Sequence, residues 1–194
     1  SIALKSNGTI VAWGNNSDAQ CDVPEPNTDY IAVSGGYYHS LGVKSDSTVV
    51  AWGNNSDGQC TVPVPNEGFV AVAAGGYHSL GLKSDGTIVA WGRNTDNSDN
   101  YAGQCDVPEP NADFIAIAAG NYQSLGLKSD GTIVAWGWNL HGSCDVPEPN
   151  EDFIAIAGRS AHFLGLKTDG TIVAWGFDWY GQCEAPVPNN DFVG

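Results

Sequence analysis

Five cysteines are the residues best suited to redox or metal chemistry, and they recur at regular intervals. No two of them have the Cys-x-x-Cys spacing that is typical of zinc sites. Equivalent positions in neighbouring repeats usually lie farther apart than the ~7 Å between Cα atoms that a disulfide tolerates. An odd number also cannot pair fully. We therefore expect small buried structural residues, with intermolecular disulfides as the alternative. The five are Cys21, Cys60, Cys105, Cys144 and Cys183.

Histidines and acidic loops offer a second kind of chemistry. His39, His78 and His162 occupy one repeated position, but Gln123 replaces the fourth histidine, so a shared metal site is not expected. We expect each histidine to bond the backbone of its own repeat. The loops at 54–59 and 94–100 lack the ligand spacing of a calcium loop, although weak binding stays open. No serine or cysteine has a base nearby in a known motif, and we expect no catalytic site and no cofactor.

The elements that position these residues come from an internal repeat. The tripeptide Ala-Trp-Gly recurs five times, with successive tryptophans 39, 39, 45 and 39 residues apart. A period near 40 residues is typical of propeller blades or helical solenoids. The repeat anchors are Trp13, Trp52, Trp91, Trp136 and Trp175.

The residues inside the repeat favour β-strands. The segments 69–75, 79–84 and 87–92 are short, rich in Val and Ile, and bounded by Gly, Asp, Asn and Pro. Ser-Asp-Gly-Thr at 84–87 predicts a tight hairpin whose aspartate caps the turn. Val-Pro-Glu-Pro-Asn, as at 107–111, predicts an outer edge strand that ends each repeat. We therefore predict an all-β chain, a single propeller domain over 1–194 with about five four-stranded blades and with its core distributed between the blades.

The repeats begin and end out of phase. Ser1 enters the repeat at its second strand, and the last residues, 191–194, stop inside a first strand. Two arrangements follow: a closed five-bladed ring, which we expect first, or an arc of a longer propeller. An arc would expose two sheet edges through which copies of the chain could associate.

Composition excludes some functions. The net charge of −15, with only seven basic residues, argues against nucleic acid as a partner. No run of 18 apolar residues predicts a membrane span. Asn-x-Ser/Thr sequences at Asn7, Asn15 and Asn54, together with the acidic composition, favour an extracellular location.

The run GYHSLGLKSDGTIVAWG at 76–92, followed by Gly-Gln-Cys-Asp-Val-Pro at 103–108, resembles the regulator-of-chromosome-condensation repeat in its short bacterial form. The resemblance implies a propeller, most often of seven blades, that serves as a platform for protein binding. Members of that family include a nucleotide exchange factor for a small GTPase, which also binds chromatin, and secreted inhibitors of β-lactamase. Five repeats depart from seven, and the chain lacks the long hairpin insertion of the exchange factor. Fold membership alone does not imply a function.

Differences between the repeats indicate where a partner would bind. The turn between strands one and two and the loop between strands three and four should emerge on one face, and both vary from repeat to repeat. In repeats three to five they contain aromatic residues and arginine, which dominate binding hot spots. The candidate contacts are Arg93, Tyr101, Trp138, Leu140, His141, Arg159, Phe163, Phe177, Trp179 and Tyr180.

The sequence therefore favours a non-catalytic scaffold that binds a protein partner through this face. A glycan-binding lectin is the first alternative, since aromatic rings stack on sugars, although lectin propellers usually repeat one pocket per blade. A structural or self-assembling repeat module is the second alternative.

Overall fold

The structure is a computed structural model, and it describes residues 1–193. The chain forms five antiparallel sheets in chain order, one for each repeat, and we call them blades one to five. Blade one pairs β1 (Ile2–Leu4) with β2 (Ile10–Ala12). The other blades are β3 (Tyr30–Gly35), β4 (His39–Lys44), β5 (Val49–Gly53); β6 (Phe69–Ala74), β7 (His78–Lys83), β8 (Ile88–Gly92); β9 (Phe114–Ala119), β10 (Gln123–Lys128), β11 (Ile133–Gly137); and β12 (Phe153–Arg159), β13 (His162–Lys167), β14 (Ile172–Gly176). Among residues 1–193 the only helical element is one 3₁₀ turn, Leu140–Gly142.

The blades are arranged as in a propeller. The first strands lie side by side in chain order, with β3 beside β6, β6 beside β9 and β9 beside β12. They line a central cavity of about 320 Å³, to which residues of all five blades contribute. Backbone hydrogen bonds join neighbouring blades at this cavity, as from the amide of Gly76 to the carbonyl oxygen of Gly120, 3.0 Å.

The hairpin between the second and third strands has the predicted turn chemistry. In blade three the carboxylate Oδ1 of Asp85 accepts hydrogen bonds from the backbone amide and the hydroxyl of Thr87, at 3.0 and 2.7 Å. The same pair of bonds forms in the three other complete blades, so the predicted role of the aspartate is confirmed. The equivalent acids are Asp46, Asp130 and Asp169.

The prediction of a fourth strand in each blade is wrong. The chain after the third strand forms turns, and each complete blade has three strands. Its proline residues have no amide to donate, and the amide of Cys105 is bonded locally, to Oδ1 of Asn94 at 2.8 Å. The outer edge of the third strand is instead paired by a side chain: Asn111 accepts from the Ile88 amide at 2.8 Å and donates to the Ile88 carbonyl at 2.8 Å. One asparagine per repeat thus replaces the ladder of a missing strand.

The core lies between consecutive blades, as the composition predicted. Leu80, Leu82 and Ile88 of blade three pack against Phe114 and Trp136 of blade four, and all of these side chains are buried. Equivalent clusters join the other neighbours. Each blade therefore depends on the next for the burial of its apolar face, as in other stacked repeat proteins.

At each junction between complete blades, one backbone carbonyl accepts hydrogen bonds from side chains of the next blade. The Gln59 carbonyl of blade two accepts hydrogen bonds from the Ser79 hydroxyl (2.8 Å) and the Trp91 indole (2.9 Å), both of blade three. Because the only hydroxyl proton of Ser79 is used in this bond, the serine oxygen must accept from Nε2–H of His39, 2.9 Å away. The repeated histidine thus bonds a serine of the next blade, and our expectation of a bond within its own repeat is wrong.

Trp13 differs from the four other anchor tryptophans. Its side chain is 54% exposed, whereas Trp91 is 5% exposed. Among residues 1–193 no preceding blade offers Trp13 a carbonyl of the kind that the other four indoles contact. Whether the ring closes stays a prediction.

Trp91→Phe should lower the free energy of unfolding by about 1–3 kcal/mol, because the Gln59 carbonyl loses one of its two buried donors. Trp13→Phe is the matched control and should change it by less than about 0.5 kcal/mol. Urea unfolding of both variants gives the comparison. Equal losses in the two variants would contradict the role of the indole bond.

Asn111→Ala should lower the free energy of unfolding by about 1–2 kcal/mol, because the amide and the carbonyl of Ile88 both lose their partner. Asn97→Ala, in an exposed loop, is the control and should be neutral to within about 0.5 kcal/mol. Guanidinium unfolding would measure both values, and a neutral Asn111→Ala would show that water replaces the side chain.

Candidate partner-binding site

The variable turns and loops do meet on one side of the blades, and we call this side the loop face. It consists of the loops that follow the third strands and the turns between the first and second strands. In each complete blade the first loop residue donates its amide to a carbonyl of the turn. The bonds run from Asn54 to Tyr38 (2.9 Å), Arg93 to Tyr77 (3.0 Å), Trp138 to Tyr122 (2.8 Å) and Phe177 to Ala161 (2.9 Å). The backbone therefore holds turn and loop in one repeated geometry while their side chains differ.

Four of the predicted contacts form an aromatic cluster between blades four and five: His141, Phe177, Trp179 and Tyr180. The Phe177 ring is central, with centroids 5.0 Å from His141, 5.3 Å from Trp179 and 6.3 Å from Tyr180. Trp179 and Tyr180 are 78% and 86% exposed, and Leu140 in the adjoining 3₁₀ turn is 44% exposed. Such a group of large exposed rings is unusual on a surface that has no partner.

A row of tyrosines continues across the loop face, and sequence reasoning did not select it. The ring centroids of Tyr38 and Tyr77 are 5.5 Å apart, and those of Tyr77 and Tyr122 are 5.4 Å apart and nearly parallel. Trp138 ends the row, edge-on to Tyr122 at 5.7 Å. Burial raises the pKa of Tyr77 and Tyr122, so both remain neutral phenols near pH 7. The signal in the sequence was the tyrosine that precedes His39, His78 and Gln123 in three successive repeats.

Arg93 and Tyr101 belong to the longer loop of blade three, apart from the aromatic cluster. The Arg93 guanidinium donates to Asp99 at 2.7 Å and lies 5.6 Å from the Tyr77 ring centroid, so its side chain is largely covered. Tyr101 is 74% exposed, and its hydroxyl donates to Asp106. Arg93 thus stabilises its own loop, while the Tyr101 ring is exposed and its role as a partner contact stays a prediction.

The last two predicted contacts lie elsewhere. Arg159 is exposed, but it lines the central cavity beside Ser160. Phe163 is fully buried and packs against Trp175, with ring centroids 6.0 Å apart. Phe163 replaces the serine that bonds the preceding blade in other repeats, so its position on the strand directs the ring into the core. The prediction of Phe163 as a surface contact is wrong.

Comparison with known proteins agrees with this architecture. Residues 30–59, 69–98 and 114–143 match the regulator of chromosome condensation (RCC1) repeat. These three segments, which lie in blades two, three and four, are RCC1 repeats. No curated protein matches the chain.

Several solved structures have a similar fold. Prp20p from Saccharomyces cerevisiae is 21% identical, with a TM-score of 0.74 over 98% of this chain and 59% of its own. The ectodomain of the receptor kinase CR4 from Physcomitrella patens is 23% identical, with a TM-score of 0.73 over 94% of this chain and 50% of its own. Human WBSCR16 is 20% identical, with a TM-score of 0.72 over 98% of this chain and 62% of its own. The chain thus spans between half and two thirds of the length of each of these structures.

The five cysteines are free thiols in the structure, each partly buried. Burial raises the pKa of Cys60 to about 11 and that of Cys105 to about 12, so these thiols stay protonated at neutral pH. The Cys60 sulfur lies 3.1 Å from the carbonyl oxygen of Asn54 in its own loop. Because the thiolate is the reactive form, these are poor nucleophiles.

The histidines and acidic groups are dispersed. Across residues 1–193 no three His, Cys, Asp or Glu side chains are grouped as a metal site would require. The same residues include no helix with the length and apolar character to cross a membrane.

The two buried histidines should make stability depend on pH. Desolvation lowers the pKa of His39 to about 4 and that of His78 to about 3, against 6.5 in an unfolded chain. As the pH falls below 6.5 the unfolded chain binds protons that the folded chain does not, so stability is lost. The expected slope is up to ~1.4 kcal/mol per pH unit for each histidine.

Urea unfolding between pH 7 and 5 should show this slope, and His78→Gln should roughly halve it. Glutamine is a suitable replacement because Gln123 occupies the equivalent position in blade four, fully buried. An unchanged slope in His78→Gln would contradict the attribution of the pH dependence to the buried histidines.

Proposed function

We propose that this RCC1-repeat chain is a non-catalytic scaffold that binds a protein partner through the loop face of blades three to five. The single observation that carries the proposal is the aromatic cluster, in which Trp179 and Tyr180 are 78% and 86% exposed around Phe177. Tryptophan and tyrosine are enriched in hot spots because they cover a large area with few rotatable bonds. Leu140 extends the apolar surface, and Trp138 and Tyr101 are candidate contacts on either side.

The backbone of this face supports such a role. The exposed rings project from loops whose first residue is bonded to the neighbouring turn, as Phe177 is to Ala161 at 2.9 Å. Binding loops are usually held on a rigid frame while their side chains vary. Such a loop loses little conformational entropy when it binds a partner.

Charge narrows the class of partner. The chain has a net charge of −15, and a surface of this sign attracts basic proteins and repels acidic ones. Among the structural neighbours, Prp20p binds Gsp1p and histones, and it has also been seen bound by Kap60. These partners are proteins, in keeping with a scaffold role here.

The double variant Trp179→Ala/Tyr180→Ala should lose the partner. Removal of two hot-spot rings should weaken binding by about 2 kcal/mol or more, roughly thirtyfold in Kd. The measurement is affinity capture from the source organism followed by quantitative mass spectrometry, with the wild-type chain as reference.

Val64→Ala/Val187→Ala is the matched control, because both valines are at least 90% exposed but lie in connectors between blades. The control should retain the partner. Unchanged recovery by the aromatic variant would contradict the proposal. A glycan array and size-exclusion chromatography with light scattering, on the same proteins, would reveal the lectin and self-assembly alternatives.

A further inference from the structure

The residue that follows Ala-Trp-Gly occupies the same place at each junction between blades. It is Asn54 at the one–two junction, Arg93 at two–three, Trp138 at three–four and Phe177 at four–five. Its amide is bonded to the neighbouring turn in all four cases. The side chains therefore start from equivalent backbone positions, and their surroundings can be compared directly.

Three of the junctions are filled by the chain's own large side chain. Arg93 lies over the Tyr77 ring, Trp138 stands edge-on to Tyr122, and Phe177 packs on His141. Asn54 at the one–two junction is too short to do the same. A pocket of about 170 Å³ remains there, lined by Asp18, Tyr38, Asn54, Ser56, Asp57 and Tyr77. At ~30 Å³ per water, this space holds about six waters or one guanidinium group.

The two–three junction shows which chemical group fills the equivalent position when the side chain is long enough. There the Arg93 guanidinium lies 5.6 Å from the Tyr77 ring centroid and 3.8 Å from Oδ1 of Asp57. By repeat equivalence, Tyr38 corresponds to Tyr77 and Asp18 to Asp57. The one–two junction thus has the aromatic wall and the carboxylate but not the cation.

Of the two carboxylates that line the pocket, Asp57 is already paired with Arg93, 3.8 Å away. Among residues 1–193, Asp18 forms no ion pair, so it is the carboxylate available to a cation. Hydrogen bonds from Asn54 (2.8 Å) and Ser17 (2.9 Å) orient the Asp18 carboxylate and lower its pKa. Tyr38 offers a ring that is 37% exposed, and a cation over such a ring is attracted by its quadrupole.

We propose that this pocket is a binding site for a cationic side chain, specifically an arginine presented by a partner protein. The incoming guanidinium takes the place that Arg93 occupies one blade further on, over Tyr38 and beside Asp18. The site lies on the loop face but outside the aromatic cluster, so the inference does not depend on the proposed partner surface.

The test uses a probe peptide, N-acetyl-Gly-Arg-Gly-amide, titrated into the full chain and followed by two-dimensional NMR at low salt. The expected result is saturable shifts at Tyr38, Asn54 and Asp57. The same peptide with citrulline, which is isosteric but uncharged, should bind at least tenfold more weakly. Absence of saturable shifts with the arginine peptide would overturn the proposal.

Two variants and one control locate the site. Asp18→Asn removes the carboxylate and should weaken binding at least tenfold, and Asn54→Arg should do the same by filling the pocket as Arg93 does next door. Asp22→Asn removes an equal charge from the same loop outside the pocket and should leave binding unchanged. Equal weakening by Asp18→Asn and Asp22→Asn would show non-specific attraction and refute the site.

Because the peptide assay needs no partner, its outcome is separate from that of the Trp179→Ala/Tyr180→Ala experiment. Thermal melting of each variant verifies folding. Asn54→Arg adds a side chain in partly open space, so it provides the test if Asp18→Asn is unstable.

Discussion

The structure depends on a backbone carbonyl that two side chains of the next blade share. The carbonyl of Gln59 accepts hydrogen bonds from the Ser79 hydroxyl and the Trp91 indole, and Ser79 in turn accepts from His39 of blade two. These bonds are buried, so each lost partner would leave a polar group without water. They join one sheet to the next beside the apolar clusters between the blades. The repetition of tryptophan and serine has its physical cause here.

Blade five shows how far this contact tolerates change. Phe163 replaces the serine, and the Ser143 carbonyl keeps only the indole of Trp175, 3.1 Å away. The phenylalanine ring fills the space with apolar contacts, so a polar bond is exchanged for packing. Gln123 replaces the repeated histidine in blade four. Its side-chain amide donates to the Trp138 carbonyl at 2.9 Å, within the same blade, instead of to a serine of the next blade. The frame therefore survives single substitutions, which leaves the loop face free to vary.

The side chains of the loop face differ in type, but they project from a regular backbone. Each junction presents the same backbone, and one residue after Ala-Trp-Gly determines whether a ring, a guanidinium or an open pocket stands there. Aromatic side chains accumulate towards blade five, while carboxylates and a tyrosine surround the opening between blades one and two. One surface thus offers an apolar region and a region for cations, on a chain of strongly negative charge.

The sequence by itself determined the repeat, the all-β class, the hairpin turns and the location of the core between blades. These follow from local chemistry, namely short apolar segments, Asp-Gly turns and a period near 39 residues, which act within one repeat. Three of the exposed aromatic residues, Tyr101, Trp179 and Tyr180, were also predictable, because they differ between otherwise similar repeats. Only the tertiary structure decided the rest: the asparagine that replaces a fourth strand, the serine partner of His39, the burial of Phe163 and the open pocket beside Tyr38. Each of these depends on groups that are about 20 to 40 residues apart along the chain, and local pattern carries no information about such distances.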